Sequence, residues 1–569
     1  MADSWGTVSS AAIRDQLLVE PGEGEQTGVR VTERSVGTRG PGGPVDKCVR
    51  EDQGMTAIER SRTVAVVGAG TMGQGIAQVA LLAGHRVLIY DINAALAADG
   101  VGFVQDRIDR MAAKGRLDRA EAEETIGRIA SAGDLADLAG AALVIEAVVE
   151  NVTVKQTLFA ALEEVVAPDA LLATNTSSLS VTELAAGLAH PGRFLGLHFF
   201  NPAPLLPLVE VVSGFATDPA AAERAYRTVL GWGKTPVRCA DTPGFIVNRI
   251  ARPFYAEAFA VYEEQGADPA TIDAVLRESG GFKMGPFQLT DLIGQDVNEA
   301  VTRSVWESFF RSPKFTPSLA QRRLVQSGRL GRKTGHGWYP YGPDAEPALP
   351  HTAGPEQAPA KVTVVGDLGP AAGLVDLLEE AGIAVAATEQ GGPYIQLPGE
   401  GQLVLADGKT SVEFADVVYF DLALDYRGAT RIALSASEDT SERTLAEAIG
   451  LFQKLGKQVS VIGDVPGMIV ARTVAMLIDL TADAVARGAA SAEDIDTAMR
   501  LGVNYPLGPA EWHDRLGRDW AYDLLHNLDE RVPGGRYAPS LALFKLGYEA
   551  GDDEAGDDEG DQDDTGENE

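Results

Sequence analysis

Residues 63–91 read TVAVVGAGTMGQGIAQVALLAGHRVLIYD, and this stretch leaves few folds open. A short β-branched run meets a glycine-rich turn, and a helical pattern and a second apolar run follow it. This order predicts strand, tight turn, helix and strand, the opening unit of a dinucleotide-binding α/β domain. Gly68 permits the turn, Gly70 lets the backbone approach a pyrophosphate, and Gly73 lets the helix pack closely on the strand. The predicted dinucleotide contacts of this glycine turn are Gly68, Ala69, Gly70, Thr71, Met72 and Gly73.

An acidic residue closes the second strand of this unit. Asp91 follows Gly68 by 23 residues, where a carboxylate accepts hydrogen bonds from ribose hydroxyls and repels a 2′-phosphate. The two signals together favour NAD over NADP as the cofactor. The glycine turn alone is weak support, because any tight strand-to-helix turn can look the same, and a flavin dinucleotide also fits it.

Polar side chains gather where the next strands end. The stretches AALVIEAVVENVTVKQTLF and ALLATNTSSLSVTELA each predict a buried strand, a polar turn and a helix start. In an open parallel sheet, the carboxyl ends of the strands line the ligand crevice. The candidates to face cofactor or substrate are Glu150, Lys155, Asn175, Ser177 and Ser178. Helix capping alone also explains serines at such positions, and it is the favoured interpretation for Ser178.

A histidine and a glutamate stand in the two apolar runs of FLGLHFFNPAPLLPLVEVV. A lone histidine among apolar residues, here His198, is usually a core residue. Glu210 is costly to bury without a partner, and an imidazole is the partner that makes chemical sense. Such a carboxylate fixes the imidazole tautomer and stabilises the imidazolium that forms when histidine takes a proton. The alternation of a surface strand, which would leave Glu210 in water, fits the pattern equally well.

Composition narrows the class of protein further. The chain has 569 residues and a formal net charge of −34, which argues against nucleic-acid binding. It contains no long apolar run free of charge and no signal-like start, so we expect neither a membrane span nor secretion, but a cytoplasmic protein. Only Cys48 and Cys239 occur, without metal-ligand spacing, so we expect no metal site.

Several further stretches carry a family resemblance. They are GAGTMGQGIAQV, VIEAVVENVTVKQTLF, TNTSSLSVTELA, GLHFFNPAPLLPLVEVV, DTPGFIVNRI, MGPFQLTDLIGQDVNEAV and GRLGRKTGHGWYPY. The chain resembles the 3-hydroxyacyl-CoA dehydrogenases, above all the bacterial 3-hydroxybutyryl-CoA and 3-hydroxyadipyl-CoA enzymes with a duplicated C-terminal region. The resemblance covers residues 63 to 341 and continues, weakened, to about residue 546.

This resemblance implies a reaction and roles for particular residues. The reaction is the reversible NAD-dependent oxidation of a (3S)-3-hydroxyacyl-CoA to the 3-ketoacyl-CoA, in fatty-acid or aromatic-acid degradation. His198 is implied as general base, Glu210 as its orienting carboxylate, and Ser177 and Asn248 as the groups that hold the reacting oxygen. The residues implied on the NAD side are Asp91, Glu150, Lys155, Ser177, Asn201 and Lys333. Lys155 and Lys114 are implied near the CoA phosphates, although the helix around Lys114 is also interpretable as a basic solvated face.

The C-terminal half repeats the N-terminal half in degenerate form. PGMIVAR at residues 466–472 nearly copies PGFIVNR at 243–249, and one constant shift of 223 residues aligns the two halves. The shift replaces three polar residues: Asn248 by Ala471, Glu210 by Ala433 and His198 by Asp421. Only 55 residues separate Gly366 from Asp421, against 130 between Gly68 and His198, too few for a complete dinucleotide-binding domain. We therefore expect packing without chemistry in the second copy.

The predicted fold class is a Rossmann-type α/β dinucleotide-binding domain followed by an all-α domain, then a degenerate, shortened repeat that ends in a second helical domain. The predicted segments are a disordered extension (1–60), the NAD-binding domain (61–240), a helical substrate and dimerisation domain (241–341), a linker (342–360), the shortened α/β repeat (361–463), the second helical domain (464–547) and an acidic disordered tail (548–569).

Some alternatives stay open at this stage. One is a catalytically retired binding or structural relative of the same fold, and another is a different NAD-dependent hydroxyacid dehydrogenase. An acyl-CoA is the expected partner, and its chain length is open. Lys283, Arg303 or Arg311 could meet a terminal carboxylate, although each is better explained as a surface charge. The assembly is either a homodimer or a monomer in which the second copy stands in for a partner subunit.

Overall fold

The computed structural model describes residues 56–554, with side chains up to residue 547. The predicted disorder of residues 1–55 and 555–569 therefore lies outside the described residues. Within the described part, no helix combines the length and the apolar content that a membrane crossing needs.

The first half begins with an eight-stranded sheet. Its order is β3-β2-β1-β4-β5-β6-β7-β8. The first six strands run parallel, and β7 and β8 run in the opposite direction. The strands are β1 (Thr63–Val67), β2 (Arg86–Tyr90), β3 (Ile129–Ser131), β4 (Ala141–Glu146), β5 (Leu171–Thr174), β6 (Phe194–Phe199), β7 (Leu208–Ser213) and β8 (Thr235–Ala240).

Helices cover both faces of this sheet, so its central strands are apolar on both sides. Val64 and Val66 of β1 pack with Ile76 on one face. Ala65 and Val67, which point the other way, belong to the core that contains Phe159. The helices are α1 (Thr71–Leu82), α2 (Ala94–Ala113), α3 (Arg119–Ile126), α4 (Val152–Val165), α5 (Val181–Ala185) and α6 (Pro219–Gly231).

A helical domain follows the sheet. Buried Asp273 fixes its geometry, because its carboxylate accepts hydrogen bonds from the N–H groups of Phe287 and Gln288 at the start of a later helix. The helices are α7 (Val247–Ile250), α8 (Arg252–Glu263), α9 (Pro269–Glu278), α10 (Pro286–Ile293), α11 (Gln295–Ser308) and α12 (Leu319–Gln326).

The second half opens with a seven-stranded sheet in the order β10-β9-β11-β12-β13-β14-β15. Between β9 and β13 it has β11, antiparallel to both its neighbours, and β12, where the first sheet has the parallel strands β4 and β5. The strands are β9 (Lys361–Val365), β10 (Ala384–Thr388), β11 (Tyr394–Gln396), β12 (Gln402–Leu405), β13 (Val417–Phe420), β14 (Arg431–Ala436) and β15 (Gln458–Ile462). Its two helices are α13 (Leu374–Glu380) and α14 (Glu442–Lys454).

A second helical domain completes the described chain. Asp496 accepts hydrogen bonds from the N–H groups of Ala510 and Glu511, the same capping contact that Asp273 makes one repeat earlier. The helices are α15 (Val470–Ala486), α16 (Ala492–Val503), α17 (Pro509–Leu516), α18 (Trp520–Arg531) and α19 (Leu541–Glu554). The predicted fold class is thus confirmed, including the shortened repeat.

The two halves pack on each other with pseudo-two-fold symmetry. The Ala240 N–H donates to the Ala489 carbonyl (2.8 Å), and the Gly463 N–H donates to the Gly266 carbonyl (2.7 Å). Gly463 lies one repeat after Ala240, and Ala489 one repeat after Gly266, so each contact is the image of the other. Such reciprocity is the mark of an isologous interface, here formed inside one chain.

Apolar helix faces and buried ion pairs hold the halves together. Helix α8 packs against α15, and their apolar residues belong to a single core. Arg249 of the first copy pairs with Asp483 of the second at 2.8 Å. Its counterpart Arg472 pairs with Glu264 (2.7 Å) and Glu257 (3.5 Å) of the first copy. The second copy therefore covers the apolar face of α8, as a second subunit would in a symmetric dimer.

The structure departs from the predicted segments at two boundaries and adds contacts to the linker. Residues 56–60, predicted as disordered, are packed: Ile58 is buried and donates its N–H to Thr228 Oγ1 at 2.9 Å. Helix α19 runs to Glu554, into the stretch predicted as a disordered tail. The linker lacks helix and strand, as expected, yet it is fastened to both halves, because the His351 N–H donates to Thr271 Oγ1 and the Ala353 N–H to the Val459 carbonyl.

We predict that Arg472→Met lowers the free energy of unfolding by about 3–5 kcal/mol, because it leaves the buried Glu257 without one of its cations. The measurement is the urea unfolding midpoint. Arg487→Met, at the exposed end of the same helix, is the control and should change the midpoint little. A loss of under about 1 kcal/mol in Arg472→Met would contradict a tightly coupled interface.

Candidate active site

Strand register places His198 directly opposite Glu210. The two residues are partners in the antiparallel pair of β6 and β7, and imidazole Nδ1 lies 2.6 Å from Glu210 Oε2. Glu210 is fully buried and His198 is 6% exposed. Because the carboxylate accepts, Nδ1 carries the proton and Nε2 keeps its lone pair as a base. The sequence allows Glu210 either to be buried beside the imidazole or to face water, and in the structure it is buried beside the imidazole.

Glu210 also holds the start of the helical domain. Its second oxygen, Oε1, accepts hydrogen bonds from the N–H groups of Ile246 (3.0 Å) and Val247 (2.8 Å). The chain reaches this point through a left-handed turn at Gly244 and Phe245, whose φ angles are 75° and 51°. The turn brings the Phe245 ring to 5.8 Å from the imidazole. One carboxylate therefore fixes both the histidine and the helix that carries Asn248.

Asn248 and Ser177 meet across the junction of sheet and helices. Asn248 Nδ2 lies 3.4 Å from the Ser177 carbonyl oxygen. The Ser177 N–H donates to Glu150 Oε1 at 3.1 Å. His198, Glu210, Asn248, Ser177 and Glu150 are thus joined through one network of short contacts, in which Glu210 links the histidine to the helix of Asn248.

Glu150 organises the serine turn after β5. Its Oε1 atom accepts from the hydroxyls of Thr176 and Ser178, and from the Ser178 N–H at 3.2 Å. Burial opposes ionisation, but the Lys155 ammonium and these donors outweigh it and lower the pKa of Glu150. The capping interpretation of Ser178 is wrong, because Ser180 is the residue that caps α5.

Lys155 points into the protein, between two carboxylates. Its side chain is 1% exposed, and Nζ lies between Glu146 Oε1 (2.8 Å) and Glu150 Oε2 (3.0 Å). Helix α4 aims the side chain inward at the end of β4, where Thr174 Oγ1 also donates to Glu146 at 2.7 Å. The ammonium is thus an internal partner of two carboxylates, one of which, Glu150, organises the serine turn. The expected contact of Lys155 with CoA phosphates stays a prediction.

The glycine turn has the geometry that a dinucleotide needs. Gly68 has φ +105°, and a methyl group there would lie 2.6 Å from the Ala147 carbonyl oxygen. A methyl group on Gly73 would lie 1.8 Å from the Gly68 oxygen, whereas nothing lies within 4 Å of the equivalent point on Gly70. The backbone at Gly70 is therefore open to a ligand. Asp91 is fixed beside the turn, because its Oδ2 accepts from the Ala69 N–H at 2.9 Å.

These residues fit a bound NAD. Helix α1 starts directly behind the open face of Gly70, without a capping side chain and without an acidic residue in its first turn. Its first N–H groups can therefore bind a pyrophosphate. The Asp91 carboxylate keeps lone pairs for the ribose hydroxyls and opposes a 2′-phosphate.

Three of the predicted site residues lie outside the hydrogen-bond network around His198 and Glu210. Lys114 is exposed at the C-terminal end of α2. Asn201 is exposed just beyond β6, before a cis peptide bond to Pro202. Lys333 forms an ion pair with Asp296 at 2.6 Å in the helical domain. Their expected roles stay predictions.

Sequence reasoning missed Glu146 and Thr176. Glu146 is fully buried and receives Lys155 and Thr174, and Thr176 is the hydroxyl that turns Glu150 toward the serines. Glu146 stands at the end of an apolar strand, and a buried carboxylate there requires a partner, as it does at Glu210. Glu146 could therefore have been identified from the sequence.

Fold and site together define an NAD-binding oxidoreductase. Residues 63–242 match the family model of the "3-hydroxyacyl-CoA dehydrogenase, NAD binding domain". The model of the "3-hydroxyacyl-CoA dehydrogenase, C-terminal domain" matches twice, at 244–341 and 467–554. The model of the "3-hydroxybutyryl-CoA dehydrogenase reduced Rossmann-fold domain" matches residues 403–466. The chain belongs to the 3-hydroxyacyl-CoA dehydrogenase family.

Similar proteins include full-length and single-copy relatives. The chain is 43% identical to a 3-hydroxyadipyl-CoA dehydrogenase of Escherichia coli K12, over 86% of this chain and 99% of that protein. A crystal structure of a 3-hydroxybutyryl-CoA dehydrogenase from E. coli K12 has a TM-score of 0.78, with 42% identity, 86% of this chain and 99% of that chain covered. A 3-hydroxybutyryl-CoA dehydrogenase of Mycobacterium tuberculosis H37Rv is 41% identical over 50% of this chain and 99% of its own length.

We predict that Glu210→Gln lowers kcat by about 10³-fold, within the range for loss of acid–base catalysis. A glutamine cannot accept from both the imidazole and two backbone N–H groups through its single oxygen. Steady-state kinetics measures the effect, and the KM for NAD should stay close to that of the wild type. Glu164→Gln on the exposed side of α4 is the control. Equal activity of the two variants would contradict the positioning role of Glu210.

Proposed function

We propose that this protein oxidises (3S)-3-hydroxyacyl-CoA thioesters to 3-ketoacyl-CoA, reversibly and with NAD. The observation that supports this most is the His198–Glu210 pair, buried and joined through Glu210 to the helix of Asn248, in the half of the chain that carries the glycine turn. Glu210 would keep Nε2 of His198 available to remove the proton of the substrate hydroxyl.

The remaining site residues would act on the same oxygen. Asn248 and the Ser177 hydroxyl would hold the C3 oxygen as negative charge develops on it. Glu210 would stabilise the imidazolium that forms on His198. The glycine turn and Asp91 would hold NAD, which supplies the acceptor for the hydride. In the reverse direction, protonated His198 returns its proton to the oxygen.

The acyl group is proposed to be short or dicarboxylic. The full-length relatives bear the names 3-hydroxyadipyl-CoA and 3-hydroxybutyryl-CoA dehydrogenase. Two of the three surface cations considered for a terminal carboxylate have other partners: Arg303 pairs with Glu299, and the Arg311 guanidinium lies over the Trp306 ring at 5.6 Å. The third, Lys283, is exposed.

We predict that His198→Gln retains affinity for NAD but loses about 10²- to 10⁴-fold in kcat, because the amide cannot take the proton. NADH absorbance with acetoacetyl-CoA or 3-hydroxybutyryl-CoA measures turnover, and fluorescence titration measures NADH binding. Wild-type rates in the variant would overturn the base assignment. Inactivity of the wild-type protein across acyl chain lengths would instead favour a binding role for the whole chain.

We further propose that the second copy replaces the partner subunit of a single-copy dimer. One relative matches half of this chain over 99% of its own length, and the reciprocal contacts of Ala240 and Gly463 support the substitution. We predict that a fragment ending at Tyr341 dimerises or aggregates, because the apolar face of α8 becomes exposed. Size-exclusion chromatography with light scattering measures its mass. A soluble, fully active monomer would contradict the proposal.

A further inference from the structure

One buried arginine in the described residues differs from the others. The structure buries Arg193, Arg249, Arg252, Arg431 and Arg472. Four of them pair with a carboxylate: Arg193 with Glu163, Arg249 with Asp483, Arg431 with Glu278, and Arg472 with Glu264. Arg252 is 5% exposed, yet no carboxylate among residues 56–547, whose side chains the structure describes, forms an ion pair with it.

The contacts of Arg252 leave much of its guanidinium unused. One N–H group donates to Thr302 Oγ1 at 3.0 Å, and the Tyr255 ring centroid lies 5.1 Å from Cζ. Nε is buried without an acceptor. Burial lowers the pKa of Arg252, and the groups that oppose this effect are the tyrosines Tyr255 and Tyr505. A guanidinium has five donors and always carries its charge, so this environment lacks an anion.

Arg252 lies one helical turn from Asn248. Helix α7 ends at Ile250 and α8 begins at Arg252, and the one residue between them, Ala251, keeps right-handed helical angles (φ −75°, ψ −6°), so the chain keeps turning in the same sense from one helix into the next. Residues four apart share a face of a helix and lie about 6 Å apart along its axis. That spacing matches the reach from C3 to the terminal carboxylate of an adipyl group. If Asn248 meets the C3 oxygen, Arg252 is within reach of the far end of such an acyl chain.

The second copy lost Arg252 together with the catalytic residues. Arg252 becomes Ala475 one repeat later, just as Asn248 becomes Ala471. Its neighbours Tyr255 and Thr302 become apolar as well, as Ile478 and Leu525. Arg249, by contrast, is retained as Arg472, which pairs across the interface. The second copy thus retains the arginine that forms an ion pair across the interface. It lacks the arginine without an ion pair, just as it lacks the catalytic residues.

A second unused donor lies in the same place. Tyr505 is buried, and its hydroxyl has no hydrogen-bond partner among the described residues. Its ring lies 5.6 Å from that of Phe254, whose own ring lies 5.5 Å from that of Tyr255. Tyr505 comes from the second copy, at the position that Phe282 holds in the first. The Arg252 guanidinium and the Tyr505 hydroxyl, one from each half of the chain, are thus buried donors that an anionic oxygen would satisfy.

We propose that Arg252, assisted by the Tyr505 hydroxyl, binds the terminal carboxylate of a dicarboxylic 3-hydroxyacyl-CoA. This rests on the proposed function, and it names the substrate class of that site. The guanidinium would donate a charge-assisted hydrogen bond to the substrate carboxylate. That carboxylate would take the place of the protein carboxylate with which the other buried arginines pair. An acyl chain of equal length without the carboxylate would leave both donors unpaired, which disfavours it.

The test compares two substrates that differ only at the distal end, 3-hydroxyadipyl-CoA and 3-hydroxyhexanoyl-CoA. In Arg252→Met, the ratio of their kcat/KM values should fall about 10- to 100-fold from that of the wild type, the usual cost of losing a hydrogen bond to a charged group. Arg252→Lys should keep part of the preference, because it keeps the charge. Arg303→Met, next to Thr302 on α11 but paired with Glu299, is the matched control and should leave the ratio unchanged.

Two further measurements separate the possible failures. Calorimetric binding of both thioesters without NAD measures the same preference even in a protein that turns over neither, so failure of the proposed function does not hide the result. Thermal unfolding should show Arg252→Met to be as stable as the wild type or more so, because a methionine replaces an unpaired buried charge. An unchanged binding ratio, an equal loss on both thioesters, or a much lower Tm would overturn the proposal and indicate a CoA contact or a structural role.

Discussion

The Glu210 carboxylate is the contact on which the rest of the site depends. It is buried in the sheet, and its two oxygens serve different elements: one receives the imidazole of His198, and the other the first N–H groups of α7. A buried carboxylate is tolerable only when such donors surround it. The donors that make Glu210 stable are therefore the same groups that place the base and Asn248 on either side of the cleft.

The second copy shows how much of this arrangement is structural. Asp421 stands where His198 stands in the first copy, opposite Ala433, and its carboxylate accepts from the N–H groups of Ile469 and Val470. These are the counterparts of the two groups that Glu210 caps. The buried helix start requires an anion in both copies, because its N–H groups have no other partner. In the degenerate copy the acid has moved to the neighbouring strand, and no histidine is needed.

The sequence predicts the parts of the molecule that follow from local patterns. The glycine turn, the strand that ends at Asp91 and the constant shift of the repeat each depend on residues close together in the chain. The pairing of His198 with Glu210 was left open, because periodicity cannot show which face of β7 is covered. The direction of Ser178 escaped prediction for a related reason. Its partner Glu150 lies 28 residues away and reaches it only after β4 and β5 lie side by side.

The reactive half also depends on the half that lacks reactive groups. Helix α16 of the second copy packs on α7, β7 and β8. A methyl group added to Gly502 would lie 2.7 Å from Leu208 Cδ2 and 3.2 Å from Val247 Cγ2. Leu208 is two residues from Glu210, and Val247 is next to Asn248, so Gly502 packs directly behind the elements that carry both. Because packed interiors transmit small displacements, the shape of the second copy at this surface helps to set the geometry of the site in the first.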